Sequence, residues 1–370
     1  MDLINEIQFK IPIREILLED GLMGRASELC AELGNLHVIC DKNTEEFTYG
    51  LKAPKTILSG DQKAELQIAA NISKISCDCF VAFGSGTVND ITKYAAHLAG
   101  KPYIVFATAP SMNGYASANA SLIHNGHKKS YAATAPLAIY LDTEILAHAP
   151  RRLINAGIGD SICRSTVQAD NLLAHKVIGA NYHHDFFELM KAEEEKIFED
   201  ITALAKILIY GGIAMLLAKS SEPASQGEHM LAHYMELMQP SAPHSFHGEQ
   251  ISVTTIAMAK IQADIIDNDS EFEVSISPID EEKIISHFGA ENGAVFIAES
   301  NAKYSKAELG KISSAEFRNL ALNSEKLEKA LAAIGAPTKP SELGWDEAIF
   351  QDALQFAKYT RNRFTFLDIV

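Results

Sequence analysis

The sequence predicts an α/β domain followed by an all-α domain. Short β-rich runs alternate with amphipathic stretches through the first 150 residues, and long helical patterns then follow one another. With 47% hydrophobic and 22% charged residues over 370 positions, the chain has material for two sizeable cores. The strand-like runs are Leu36–Cys40, Cys79–Phe83, Pro102–Ala107 and Leu137–Leu141, with helical patterns at Asp61–Ser73 and Thr87–Ala99. Such alternation implies a mostly parallel sheet covered on both faces, with ligands at the carboxyl ends of its strands.

The character changes after Ala149-Pro150, dividing the chain into an expected domain over 1–150 and another over 151–370. Helices are predicted at Asp160–Ile178, Asp185–Glu199, Thr202–Lys219, Gly227–Met238 and Gly248–Ala263, with one strand-like run, Gly293–Ala298. Between Gln262 and Glu291 nine acids accompany a single lysine, Lys283. An exposed, partly irregular loop region is the expectation there.

The formal charge of −16 excludes the basic surface that nucleic acid requires and disfavours anionic membranes. The apolar run Ile207–Ala218 falls short of the roughly 20 residues of a bilayer span, so it reads as a buried helix. Met1–Gly21 scatters charges among its apolar residues and lacks a signal-peptide core, which points to the cytoplasm. Five cysteines, Cys30, Cys40, Cys77, Cys79 and Cys163, form no C-x-x-C pair and read as small buried residues in a reducing compartment.

Three constellations carry chemistry. Gly84-Ser85-Gly86-Thr87-Val88-Asn89-Asp90 lies where a strand passes into a helix. Backbone and helix N–H groups there suit a pyrophosphate, and Asp41, after an earlier strand, suits a ribose. Thr108 to Ser117, rich in small and hydroxyl residues, follows the next strand, where a polar turn is the plainer reading. His229 and His233 share one helix face; His244 and His247 follow, and Asp160 opens the first helix of the second domain. One Asp and two His with an open position suit Zn²⁺ or a related divalent ion. The pair His183-His184 has no partner pair and reads as surface.

Together these segments resemble the sn-glycerol-1-phosphate dehydrogenases, within the iron-containing alcohol dehydrogenase and dehydroquinate-synthase-like superfamily. The resemblance rests on Gly86–Asp90, Thr108–Ser117, Gly157-Ile158-Gly159-Asp160, Ser225-Gln226-Gly227-Glu228-His229, His247-Gly248-Glu249-Gln250 and the terminal Tyr359–Thr365. It implies an N-terminal dinucleotide-binding domain and a helical metal-binding domain. It assigns Gly86–Asp90, Thr108, Ser111 and Ser117 to NAD or NADP. Asp160, His229 and His247 match the metal ligands, for zinc, nickel or iron, and His233 matches a substrate-contacting histidine that could shuttle a proton. Asn113 stands where the family usually carries a substrate-contacting Asp, which opens the identity of the substrate.

The resulting expectation is a homo-oligomeric metal dehydrogenase that interconverts a secondary alcohol and a ketone. The foremost substrate pair is sn-glycerol 1-phosphate and dihydroxyacetone phosphate. A phosphorylated substrate needs cations, and Lys128, Lys129 and Arg164 read as ordinary surface charge. Rival expectations are a polyol dehydrogenase, a sugar-phosphate cyclase, against which Asp160 speaks because such cyclases typically carry Glu there, and a non-catalytic nucleotide-binding protein.

Overall fold

The β-rich runs of the N-terminal part pair in parallel in the computed structural model, which describes residues 1–7, 10–124, 127–266 and 270–370. In chain order the elements are β1 (Glu15–Glu19), α1 (Ala26–Leu29), β2 (Leu36–Asp41), β3 (Lys55–Leu58), α2 (Leu66–Ile72), β4 (Cys79–Gly84), α3 (Gly86–Ala99) and β5 (Tyr103–Ala107). An antiparallel hairpin follows, β6 (Asn119–His124) with β7 (His127–Ala132), then β8 (Ala138–Asp142), α4 (Thr143–Ala147) and α5 (Arg151–Ser161). The main sheet has the order β1-β8-β5-β4-β2-β3, every neighbouring pair parallel.

β4, β5 and β8 are buried along their whole length, which is why they read as unbroken apolar runs. Phe106 of β5 stacks on Phe83 of β4 (centroids 4.5 Å apart) and tilts against Tyr140 of β8 at 4.7 Å, a cross-strand aromatic row. The edge strands β1 and β3 are short and carry Glu15, Glu19 and Lys55, as suits unpaired edges, and the sequence pattern did not disclose them.

The remaining elements are α6 (Arg164–Ile178), α7 (His184–Glu194), α8 (Ile201–Ala218), α9 (Gly227–Met238), α10 (His247–Ile266), β9 (Glu271–Val274), α11 (Glu281–Phe288), α12 (Ala290–Tyr304), β10 (Gly310–Ser313), α13 (Ser324–Ile334) and α14 (Glu347–Phe356). Two compact units result: Met1–Ser161 with Ala192–Ser220, and Ile162–Lys191 with Ser221–Val370. A single crossing near residue 150 therefore misplaces α8, which returns to the first unit and packs on α4, α5 and the Asn113–Tyr115 turn. α8 is long and apolar enough to cross a membrane, yet 67% of it is buried within the protein; a helix apolar all round is here a core helix.

Other expectations need correction. The pattern over Asp160–Ile178 is two helices, so Asp160 closes α5 rather than opening a helix; no Gly or Pro marks the break at Ile162-Cys163. Gly293–Ala298 lies inside α12, a short apolar run whose helical flanks decide its state. The second unit is largely helical as expected, and β9 and β10 add one short antiparallel pair to it. The acidic segment is largely ordered, holding the end of α10, β9 and α11; Asp267 and Asp269 lie outside the described residues. All five cysteines are buried and form no disulfide.

Lys93 of α3 is fully buried, yet its Nζ donates to Gly114 O (2.6 Å), Asn119 O (3.0 Å) and Ser117 Oγ (3.3 Å). It thereby ties the segment after β5 to the helix after β4. Burial pushes its pKa from 10.5 down to about 8, against the opposing pull of Asp90. Between those two values the unfolded chain binds the proton and the folded chain does not, so Lys93 makes stability rise with pH through that window. Urea unfolding of wild type and Lys93→Met from pH 7 to pH 11 should show the difference, wild type minus variant, growing by about 1.4 kcal/mol per pH unit at its steepest. A difference flat across this range would refute the assignment.

Candidate metal and dinucleotide site

The dinucleotide half begins where β4 ends. Gly84 closes the strand and α3 starts at Gly86. The two glycines are glycines for different reasons. A Cβ on Gly84 would lie 2.5 Å from Val88 Cβ, so strand and helix could not approach. A Cβ on Gly86 would meet only Met112 Cγ, at 3.9 Å, leaving the space before the helix N-terminus open. Ser85, Gly86, Thr87 and Asp90 are partly exposed around this opening, while Val88 and Asn89 are buried. The latter two therefore offer a ligand their backbone rather than their side chains.

Asp41 ends β2, the strand beside β4. Its Oδ1 accepts from Asn43 N (2.8 Å) and Thr44 N (2.9 Å), and Thr44 Oγ1 donates to Phe83 O at 2.8 Å. That oxygen shapes a turn at the carboxyl edge of the sheet. Thr108, next after β5, donates its N–H to Gly84 O at 3.3 Å. Ser111 and Ser117 are buried, and the Ser117 hydroxyl donates within its own segment, to Gly114 O. Asn113 is half-buried; its N–H donates to Asp160 Oδ2 at 2.8 Å.

Close backbone approach makes this placement possible. A Cβ on Gly157 of α5 would lie 1.7 Å from Pro110 O, and one on Gly212 of α8 would lie 2.5 Å from Asn113 O. Glycines at both positions let two helices press against the segment after β5, and Asp160, one turn beyond Gly157, is buried there.

His229 lies in the first turn of α9 and His247 is the first residue of α10. Their rings are 5.0 Å apart, with that of His233 at 6.3 and 6.0 Å from the two. His229 Nδ1 lies 2.7 Å from Glu228 Oε1, which turns Nε2 to the remaining direction. Burial pushes the Glu228 carboxyl up to about 7, opposed by backbone N–H donors including that of Gln226 at 2.8 Å. Glu249 Oε2 accepts from Phe246 N at 2.7 Å, capping the turn that presents His247. His233 Nδ1 faces Glu236 Oε2 at 3.1 Å, and His244 is exposed beside Phe246.

Comparison with known proteins identifies the family and the fold. Residues 18–150 match the family model described as iron-containing alcohol dehydrogenase. A glycerol-1-phosphate dehydrogenase [NAD(P)+] of Sulfurisphaera tokodaii is 30% identical over 84% of this chain and 75% of its own. The chain belongs to the glycerol-1-phosphate dehydrogenase family. A Bacillus velezensis member is 28% identical over 90% and 84% of the two chains. The solved structure of a probable glycerol dehydrogenase from Sinorhizobium meliloti shares the fold, with a TM-score of 0.64 and 14% identity over 96% of this chain and 93% of its own.

Sequence reasoning quoted Glu228 within a family motif and gave it no role. The signal available was its position, an acid directly before a helix histidine. Cys163, Glu228 and His229 come within 4.8 Å of one another, but the Glu228–His229 hydrogen bond makes the carboxylate an orienting group. Arg164 is buried and bonded to Gln168 and Ser165, so reading it as surface charge was wrong. The Lys128 side chain lies outside the described residues, and Lys129 is exposed.

The two glycines of the β4–α3 turn should separate under mutation. Gly86→Val should leave the melting temperature within about 3 °C of wild type and weaken NADH binding at least tenfold, read by fluorescence titration. Gly84→Ala should instead destabilise the protein by about 1–3 kcal/mol through overpacking. Unchanged NADH affinity in a folded Gly86→Val variant would remove the dinucleotide from this turn.

Proposed function

We propose that this chain interconverts sn-glycerol 1-phosphate and dihydroxyacetone phosphate, using NAD or NADP and one divalent metal ion held by Asp160, His229 and His247. The pairing of the His229 and His247 rings 5.0 Å apart in the second unit, together with the buried Asp160 carboxylate at the end of α5 in the first, supports the reading. One carboxylate and two imidazoles form an open three-ligand set suited to Zn²⁺, with nickel or iron as alternatives. When bound, such an ion supplies a Lewis acid for the oxygen of the reacting carbon.

The chain's own groups supply the rest. Glu228 fixes the His229 ring, and the Asn113 N–H holds one oxygen of Asp160, so two of the three ligands are oriented beforehand. The His233 side chain is 29% exposed and bonded through Nδ1 to Glu236. Its Nε2 would pass a proton between the substrate oxygen and water. The open N-terminus of α3 at Gly86 receives the pyrophosphate, with Ser85, Thr87 and the backbone of Val88–Asp90 around it. Thr108, Ser111 and Ser117 line the neighbouring turn, and Asp41 takes the ribose, favouring NAD because a carboxylate repels a 2′-phosphate. A reducing cytoplasm suits the five buried cysteines, and a homo-oligomer is the assembly proposed.

One observation favours a second reading, a dehydrogenase for another polyol. Asn113 offers a neutral amide where a carboxylate would accept a hydroxyl about twice as strongly. Steady-state assays at 340 nm decide between them. Dihydroxyacetone phosphate should be reduced with NADH, with kcat/KM at least tenfold above that for dihydroxyacetone, and EDTA should abolish turnover. Asn113→Asp should raise kcat/KM for dihydroxyacetone phosphate several-fold, whereas a fall would favour the second reading. Absence of turnover with protein shown to hold metal and NADH would reject the glycerol-phosphate assignment.

A further inference from the structure

The hydrogen bonds of the terminal Tyr359–Thr365 motif converge on the start of α9. Arg363 donates through Nη1 to Ser225 O and, at 2.9 Å, to Ser225 Oγ, and through Nη2 to Ser221 Oγ. Asp170, fully buried on α6, accepts from Gly227 N (3.0 Å), Phe366 N (2.9 Å) and Gln262 Nε2 (3.2 Å). The tail itself is held by fully buried Lys303, whose Nζ donates to Asp368 Oδ1 (2.6 Å), Lys358 O (2.7 Å) and Arg363 O (3.1 Å). Phe364, Phe366 and Leu367 are fully buried in the second core.

These bonds meet a particular need. α9 starts at Gly227 after an extended approach, and its N-cap residue Gln226 makes no side-chain capping bond. The first N–H groups of a helix need acceptors, and a negative group there also complements the helix dipole. Asp170 supplies both from a different helix. Gly227 permits the approach, since a Cβ there would lie 2.8 Å from Asp170 Oδ2 and 2.5 Å from Met258 Cε. Two residues further on is His229. Between them Glu228 takes the Gln226 N–H on the oxygen that also faces His229 Nδ1.

We propose that the C-terminal segment Lys358–Asp368 sets the start of α9, with Arg363 and Asp170 as positioning residues that fix where His229 presents its ligand nitrogen. The inference rests on the metal site proposed above. Both are argued to act through the backbone of Ser225–Gly227. Burial pushes the Asp170 carboxyl up, and its N–H donors pull it back toward the charged form. In Asp170→Asn one oxygen becomes an amide nitrogen that cannot accept, so one of the N–H bonds is lost.

The test uses full-length Arg363→Met and Asp170→Asn, with Leu331→Ala as a control for lost stability, since Leu331 is fully buried on α13. Zinc affinity is measured by competition with a chromophoric chelator, and amide hydrogen exchange over residues 225–230 is followed in metal-free protein. Arg363→Met and Asp170→Asn should each weaken zinc at least tenfold and speed exchange at Gly227–Met230 at least tenfold, while Leu331→Ala changes neither more than threefold. Arg363→Lys should recover part of the loss. Should Arg363→Met fail to fold, Ser225→Ala removes one of its acceptors and should speed the same exchange several-fold. Zinc affinity within twofold of wild type together with unchanged exchange would overturn the inference. Faster exchange in a protein whose wild type binds no zinc would instead defeat the metal reading and leave the positioning role of the tail standing.

Discussion

Backbone buried outside a helix or strand must still pair its polar groups, and the segment from Thr108 to Asn119 imposes that demand on the first unit. It leaves the carboxyl edge of the sheet as irregular chain, with most of its residues buried. An unpaired N–H or C=O there would cost about 1–3 kcal/mol. The partners come from every side. Lys93 reaches in for Gly114 O and Asn119 O, Tyr115 OH donates to Ala109 O, and Asp160 accepts the Asn113 N–H. A buried lysine in α3 thus has a physical reason. The same demand places a carboxylate at the end of α5 before any ligand is considered.

In the second unit the corresponding constraint is a helix start with no local cap. The chain resolves it by contacts distant in sequence, Asp170 with Gly227 and Phe366, and Arg363 with Ser225. The consequence is that α9, which carries two histidines, is tied to the last residues of the chain. A motif at positions 359–365 and a motif at 225–229 are therefore one structural feature. Read along the sequence they look unrelated.

The extent to which these features were legible follows from what each leaves in the sequence. Strands buried on both faces announce themselves as apolar runs, so β4, β5 and β8 were plain, as was α9 with its histidines four apart. Edge strands alternate too briefly to register. The break between α5 and α6 carries no Gly or Pro, so periodicity ran through it and placed Asp160 at the wrong end of a helix. α8 reads as a core helix from its composition, but no local pattern says which core it joins. The β4–α3 turn was visible as Gly-x-Gly after a strand, whereas the separate duties of Gly84 and Gly86 exist only in three dimensions. Glu228 was hidden for a related reason: an acid inside a helix is ordinarily solvated, and only burial beside His229 gives it an orienting role.

The contrast between those two glycines bears on function more directly than the motif that contains them. Gly84 is explained by packing against Val88, and a fold with no ligand would need it equally. Gly86 has a negative φ, in contrast to the glycines that take left-handed turns, and a side chain there would meet nothing closer than 3.9 Å. Ala costs less conformational entropy in a helix than Gly, by about 1 kcal/mol. The fold would be better served by alanine at this position. Under the proposed function, a glycine that the fold does not require, at a helix N-terminus open to solvent, is accounted for by a ligand that approaches the backbone from outside. A phosphate group, which needs bare N–H groups and no intervening Cβ, has that property.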